Sequence, residues 1–159
     1  MGINYESQVI GALRATNVTG YSGVGVSQLR FALAWNIFPK EEEVFTVFGT
    51  SAWISVMPEG ESLPLVLGQA VPETAWCEES RGGQPFERHL SYRLTLPSPQ
   101  LLAVEQLRQG RGLVFTLDVR GNSLGPRGIR PFDTTLRMSV NPSEWSRVLK
   151  EANAADVLL

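Results

Sequence analysis

The chain has 159 residues, with 14 Lys and Arg against 16 Asp and Glu, a net charge of −2. That length fits one domain, residues 1–159, burying roughly 70% of its unfolded surface without help from disulfides or metals. The weakly acidic balance speaks against a nucleic-acid binder, which generally presents a basic face, and a content of 43% hydrophobic residues excludes a disordered chain.

The N-terminus, Met1-Gly2-Ile3-Asn4-Tyr5-Glu6, lacks the basic region and apolar run of a secretory signal, and Glu6 breaks a myristoylation pattern. No stretch approaches the roughly 20 apolar residues that span a bilayer. Asn17-Val18-Thr19 matches a glycosylation sequon, which matters only in a secretory compartment. A cytoplasmic location is therefore expected.

Period-two alternation dominates the chain. A weak strand is predicted at 8–14, then a loop at 17–26 whose Gly20, Gly23 and Gly25 lack dinucleotide-binding spacing. Leu29, Phe31, Leu33, Trp35 and Ile37 share one face of the next strand, and Arg30, Ala32, Ala34 and Asn36 the other. Pro39, Lys40 and Glu41-Glu42-Glu43 read as a solvated turn, because calcium loops space their ligands at alternate positions. Weak strands at 44–48, 53–57 and 63–67 are separated by a loop at 58–61.

A long loop is predicted at 72–85, carrying Trp76, Cys77, Glu78 and Glu79; at that length it is expected to be functional or mobile. Leu90, Tyr92, Leu94 and Leu96 alternate with Ser91, Arg93 and Thr95. Ser98-Pro99 then reads as an N-cap with proline at the first helical position, followed by the stripe Leu101, Val104 and Leu107 and a stop at Gly110. Leu113, Phe115, Leu117 and Val119 form another strand face. A loop comes next at 121–131, with Arg120, Arg127 and Arg130 around three glycines. Leu136, Met138 and Val140 precede a second helix, started by Asn141-Pro142-Ser143-Glu144 and striped by Trp145, Val148 and Leu149. The apolar end, Val157-Leu158-Leu159, reads as a strand that pairs within this domain or continues into a longer polypeptide.

Many half-buried strands with turn signals suggest a β-sandwich or an open barrel, and with only two helices the expected fold is mainly β, an antiparallel β-sandwich with two short helices. A parallel α/β fold would need a helix between most strands.

Cys77 and His89 are single, so no intramolecular disulfide and no Cys/His zinc site can form, and any metal would be hard and carboxylate-bound. His89 has no nucleophile motif near it and reads as a surface residue, so no catalytic residue and no cofactor are assigned. Arg93, Asp118 and Arg137 are expected to form a cross-strand ladder if their strands are neighbours. Trp35 and Trp145 fit apolar stripes, whereas Trp53 shares a face with Ser55 and Met57 and is expected to be exposed. Gly-rich backbone beside arginines can hold an anion, although the 121–131 segment has no phosphate-loop motif.

The run Leu101-x-x-x-Glu105-x-x-Arg108-x-Gly110-x-x-Leu113-x-Phe115-x-Leu117, and beyond it Ser143-x-Trp145-x-x-Val148-Leu149, resembles a β-rich domain of uncharacterised bacterial proteins. That domain often precedes a helical one. The resemblance covers the C-terminal half, rests on structural motifs and brings no catalytic residues.

The expected function is non-enzymatic: an intracellular bacterial recognition or assembly module that binds a protein partner or a second copy, without nucleic acid, membrane or cofactor. The binding residues expected are Trp76, Arg127 and Arg130, with Arg120 and Trp53 beside them. The alternative is a sensor domain that holds a small anionic ligand or a sugar.

Overall fold

A computed structural model describes residues 4–19, 25–38, 46–78, 86–125 and 128–152. Its strands are β1 (Asn4–Thr19), β2 (Gly25–Phe38), β3 (Thr46–Pro58), β4 (Leu65–Glu78), β5 (Phe86–Pro97), β6 (Leu113–Gly125) and β7 (Gly128–Val140). Helix α1 (Ser98–Arg108) joins β5 to β6, and α2 (Pro142–Glu151) comes after β7.

The mainly β, antiparallel expectation holds, but the sandwich does not. All seven strands lie in one sheet, in the order β1-β2-β5-β4-β3-β6-β7. The sheet curls until β1 and β7 approach each other, so its concave face closes on itself and on the two helices rather than on a second sheet. Strand alternation reports that one face is buried; it does not report what buries it.

Alternate residues of the strands supply the core. Leu29 and Phe31 from β2, Ile54 and Val56 from β3, Leu94 and Leu96 from β5, Phe115 and Leu117 from β6, and Leu136 and Met138 from β7 are buried together. Phe115 sits among them edge-on to Phe31, with ring centroids 5.4 Å apart, and tilted against Trp145 at 6.1 Å.

The predicted strands are too short at several places. The weak strand at 8–14 is part of a 16-residue β1, and the 63–67 strand is the start of β4. The predicted loop at 72–85 is strand as far as Glu78, with Trp76 opposite His89 of β5. The misleading signal is Pro72, which lacks a ladder N–H and discourages a strand assignment. The strand absorbs it with a bulge between Pro72 and Thr74 that leaves Glu73 as the extra residue. Likewise the 121–131 loop is a hairpin, with β6 running to Gly125 and β7 starting at Gly128.

Helix α2 starts as predicted: the Asn141 side chain accepts a hydrogen bond from the Glu144 N–H at 2.8 Å. Helix α1 does not. Pro97 occupies its N-cap position, Ser98 is the first helical residue, and no side chain caps it. The helix stops at Gln109 and Gly110, both at positive φ.

Helix α2 also manages an edge of the sheet. Arg147 Nη2 donates to the Leu13 carbonyl at 2.9 Å, and the Ala15 N–H donates to Glu151 Oε2 at 2.9 Å. Arg147 and Glu151 are themselves paired at 3.3 Å. Together they take the place of a neighbouring strand along this part of β1, leaving less bare edge for another chain to pair with.

At Gly121 the fold needs glycine for room. A Cβ there would lie 2.7 Å from Thr50 Cγ2 and 2.9 Å from Thr50 Cα, where β3 bulges between Phe48 and Ser51. Because backbone must move to admit it, Gly121→Ala should cost about 1–3 kcal/mol. Urea unfolding measures this, and an unchanged midpoint would show that the bulge yields freely.

Candidate functional site

The convex face holds what the core does not need. On β3 it carries Ser51, Trp53 and Ser55, since Ala52, Ile54 and Val56 point into the core. Trp53 is 51% exposed, as its alternation predicts, whereas Trp145 is fully buried, also as predicted. The side chains of Trp35, Trp76 and His89 lie outside the described residues.

In register, Trp53 lies between Gln69 of β4 and Asp118 of β6. Val66 and Val71 are exposed on β4, with Val66 opposite Ser55. The result is an aromatic and aliphatic area in the middle of the sheet face, away from its edges.

One flank of this area is polar and self-satisfied. The Thr135 hydroxyl donates to Asp118 Oδ1 at 2.8 Å, and Arg120 approaches Asp133 at 4.0 Å with both side chains largely in water. The expected Arg93–Asp118–Arg137 ladder does not form. Strands β5 and β6 are separated by β4 and β3, so Arg93 is out of reach, and Arg137 lies opposite Thr116.

The other flank is a row of arginines. Arg14 of β1 pairs in register with Arg30 of β2, and Arg30 with Arg93 of β5. Arg93 is in turn opposite Val71. Each arginine lies between two buried residues of its strand, so all three share the convex face. Glu73, the extra residue at the bulge of β4, meets Arg30 at 3.3 Å and Arg93 at 3.5 Å. Glu151 meets Arg14 at 3.5 Å.

The predicted binding residues are therefore only partly brought together. Trp53 and Arg120 lie on adjacent strands of one face. Arg130 is half-buried near the far end of the β6–β7 hairpin, opposite Ser123. Arg127 lies outside the described residues, and Trp76 belongs to a strand rather than a loop. Beside Arg130, Leu124 and Ile129 form an exposed apolar pair on the hairpin. Sequence reasoning misses Arg14, Arg30, Glu73 and Val71. Alternation puts Arg30 and Arg93 on polar faces, but their alignment depends on register between strands remote in sequence.

Among the described residues no three His, Cys, Asp or Glu side chains group as a metal site. No described helix is long and apolar enough to cross a membrane. No protein-family model, curated protein or solved structure matches the chain.

Proposed function

We infer that this chain is a non-enzymatic protein-recognition module, and that the convex face around Trp53 is its contact surface. The observation that carries this is the half-exposed indole in the middle of a sheet face, with Val66 and Val71 exposed on the neighbouring strand. Tryptophan, arginine and a small apolar centre are the composition of binding hot spots. An exposed tryptophan contributes little to folding, so its presence at a flat central position asks for another reason. An intracellular bacterial setting, in keeping with the resemblance of the C-terminal half, belongs to this proposal.

The face also differs from the concave side in what it can bind. The concave side is filled with core side chains, including Phe31, Phe115 and Trp145. A flat, exposed face of mixed character suits a protein surface better than a small molecule, which binds in concave sites.

Trp53→Ala is the test. Its melting temperature should stay within a few degrees of the wild type, because surface substitutions away from the core fall near ±0.5 kcal/mol. Loss of the indole should weaken partner binding by about tenfold or more, as a hot-spot truncation does. A stoichiometric partner recovered equally by wild type and Trp53→Ala would overturn the assignment of this face.

A further inference from the structure

We propose that the arginine row Arg14–Arg30–Arg93 makes this face selective for an acidic polypeptide segment. This rests on the recognition surface assigned around Trp53, and it names the chemistry of the partner. Adjacent strands lie about 4.8 Å apart, so three register-aligned arginines span about 10 Å of the face. Like charges directly opposite one another destabilise a sheet, yet here two such pairs stand side by side. In a chain of net charge −2, this corner gathers Arg14, Arg30, Arg93 and Arg147 around only Glu73 and Glu151 among the described residues. The fold accepts local repulsion where its overall charge does not call for it.

Glu73 shows what the row accepts. Its carboxylate reaches Arg30 through Oε2 and Arg93 through Oε1, bridging two rungs of the row. Among the described residues no carboxylate bridges Arg14 and Arg30 in the same way; Glu151 meets Arg14 from the α2 side. The guanidinium side chains keep 65%, 46% and 38% of their surface in water. A carboxylate from a partner placed between Arg14 and Arg30 would repeat the Glu73 arrangement, with charge-assisted hydrogen bonds from both sides. The row ends at Val71, one strand away from Trp53, so an acidic segment with a neighbouring apolar residue would match charge and apolar area together.

A peptide fits better than a nucleic acid. Single-stranded nucleic acids stack successive bases on aromatic side chains along a basic groove, whereas the exposed aromatics among the described side chains, Trp53 and Phe48, both stand on β3 and the arginine row runs across β1, β2 and β5. Long polyanions also feel the net negative charge of the whole chain, whereas a short acidic segment feels mainly charges within a Debye length of about 8 Å.

The probe is a fluorescein-labelled octaglutamate peptide, titrated with the full chain at about 50 mM and about 200 mM salt. A labelled oligothymidylate of similar charge is titrated alongside. The expected result is saturable peptide binding at low salt that weakens at high salt and drops about tenfold with Arg30→Glu, with oligothymidylate bound more weakly. Arg30→Thr should also lose binding while its melting temperature stays within a few degrees of the wild type, since the two like-charge pairs it removes offset the partly exposed ion pair with Glu73 that goes with them; a purely structural row would show a larger fall. No peptide binding, or binding indifferent to Arg30→Glu with the variant folded by circular dichroism, overturns the proposal. Tighter binding of oligothymidylate overturns it in favour of a general polyanion surface. Partner binding lost in Trp53→Ala but intact in Arg30→Glu refutes the acidic selectivity alone. Octaglutamate binding through Arg30, with partner binding indifferent to Trp53→Ala, refutes the Trp53-centred surface alone.

Discussion

Trp145→Ala is expected to lower the unfolding free energy by about 3–5 kcal/mol, the range for emptying a fully buried aromatic site. Trp145 stands on α2, fully buried against Phe115, and its indole N–H donates to Glu105 of α1. It touches both the sheet and α1 from its place on α2, within the one core that the helices and the sheet share. For a chain of this size such a loss lowers the melting temperature by roughly 10 °C or more. Thermal unfolding monitored by circular dichroism reads it directly. Trp145→Phe separates the two contributions: the ring packing largely survives, the donated hydrogen bond is lost, and the expected cost falls to about 1–3 kcal/mol. Equal losses for the two variants would mean that packing contributes little at this position.

The second large effect is expected at Glu105. Its carboxylate accepts hydrogen bonds from Arg108 Nε at 2.6 Å and Arg108 Nη2 at 3.0 Å, and from the indole of Trp145. The Arg108 side chain is only 12% exposed, and Arg108 Nη1 also donates to the Arg111 carbonyl at 3.3 Å. Glu105→Ala leaves a mostly buried guanidinium and a buried indole N–H without their common acceptor. Unpaired buried groups of this kind cost more than the bonds themselves contributed, so about 2–4 kcal/mol should be lost. Arg108→Ala strands only the carboxylate, which still has the indole, and should cost less. The double variant should be more stable than the sum of the two single losses implies, because neither charge then remains to be stranded. Strict additivity in urea unfolding would show that the two side chains act independently.

These residues also mark where sequence reasoning works. The stripe with Val148 and Leu149 places Trp145 in the core, and the Asn-Pro-Ser-Glu start identifies Asn141 as a cap; both are facts of local geometry, settled within one helical turn. The Glu105–Trp145 bond joins two helices across 40 positions of sequence, and no spacing rule announces it. Edge protection of β1 by Arg147 and Glu151 is of the same kind.

The candidate site divides along the same line. Trp53 is legible because alternation with Ala52 and Ile54 fixes its face. The stretch 72–78 misleads because Pro72 and its neighbours carry the composition of a turn, while the ladder accommodates them through one bulged residue; the rest of the predicted loop, 79–85, lies outside the described residues. Glu73, the extra residue at that bulge, follows outward-facing Val71 by two positions and meets Arg30 and Arg93.

By itself, the sequence determined the class of structure, the face of most strands, the start of the second helix and the exposure of Trp53. Each comes from a backbone period or a local hydrogen bond. Only the tertiary structure decided that the strands form one curled sheet closed by its helices rather than two packed sheets. It alone aligned Arg14, Arg30 and Arg93 in one row. The physical reason is that strand order and register are set by contacts between residues far apart in the chain, and a period of two is the same whichever neighbour a strand finds.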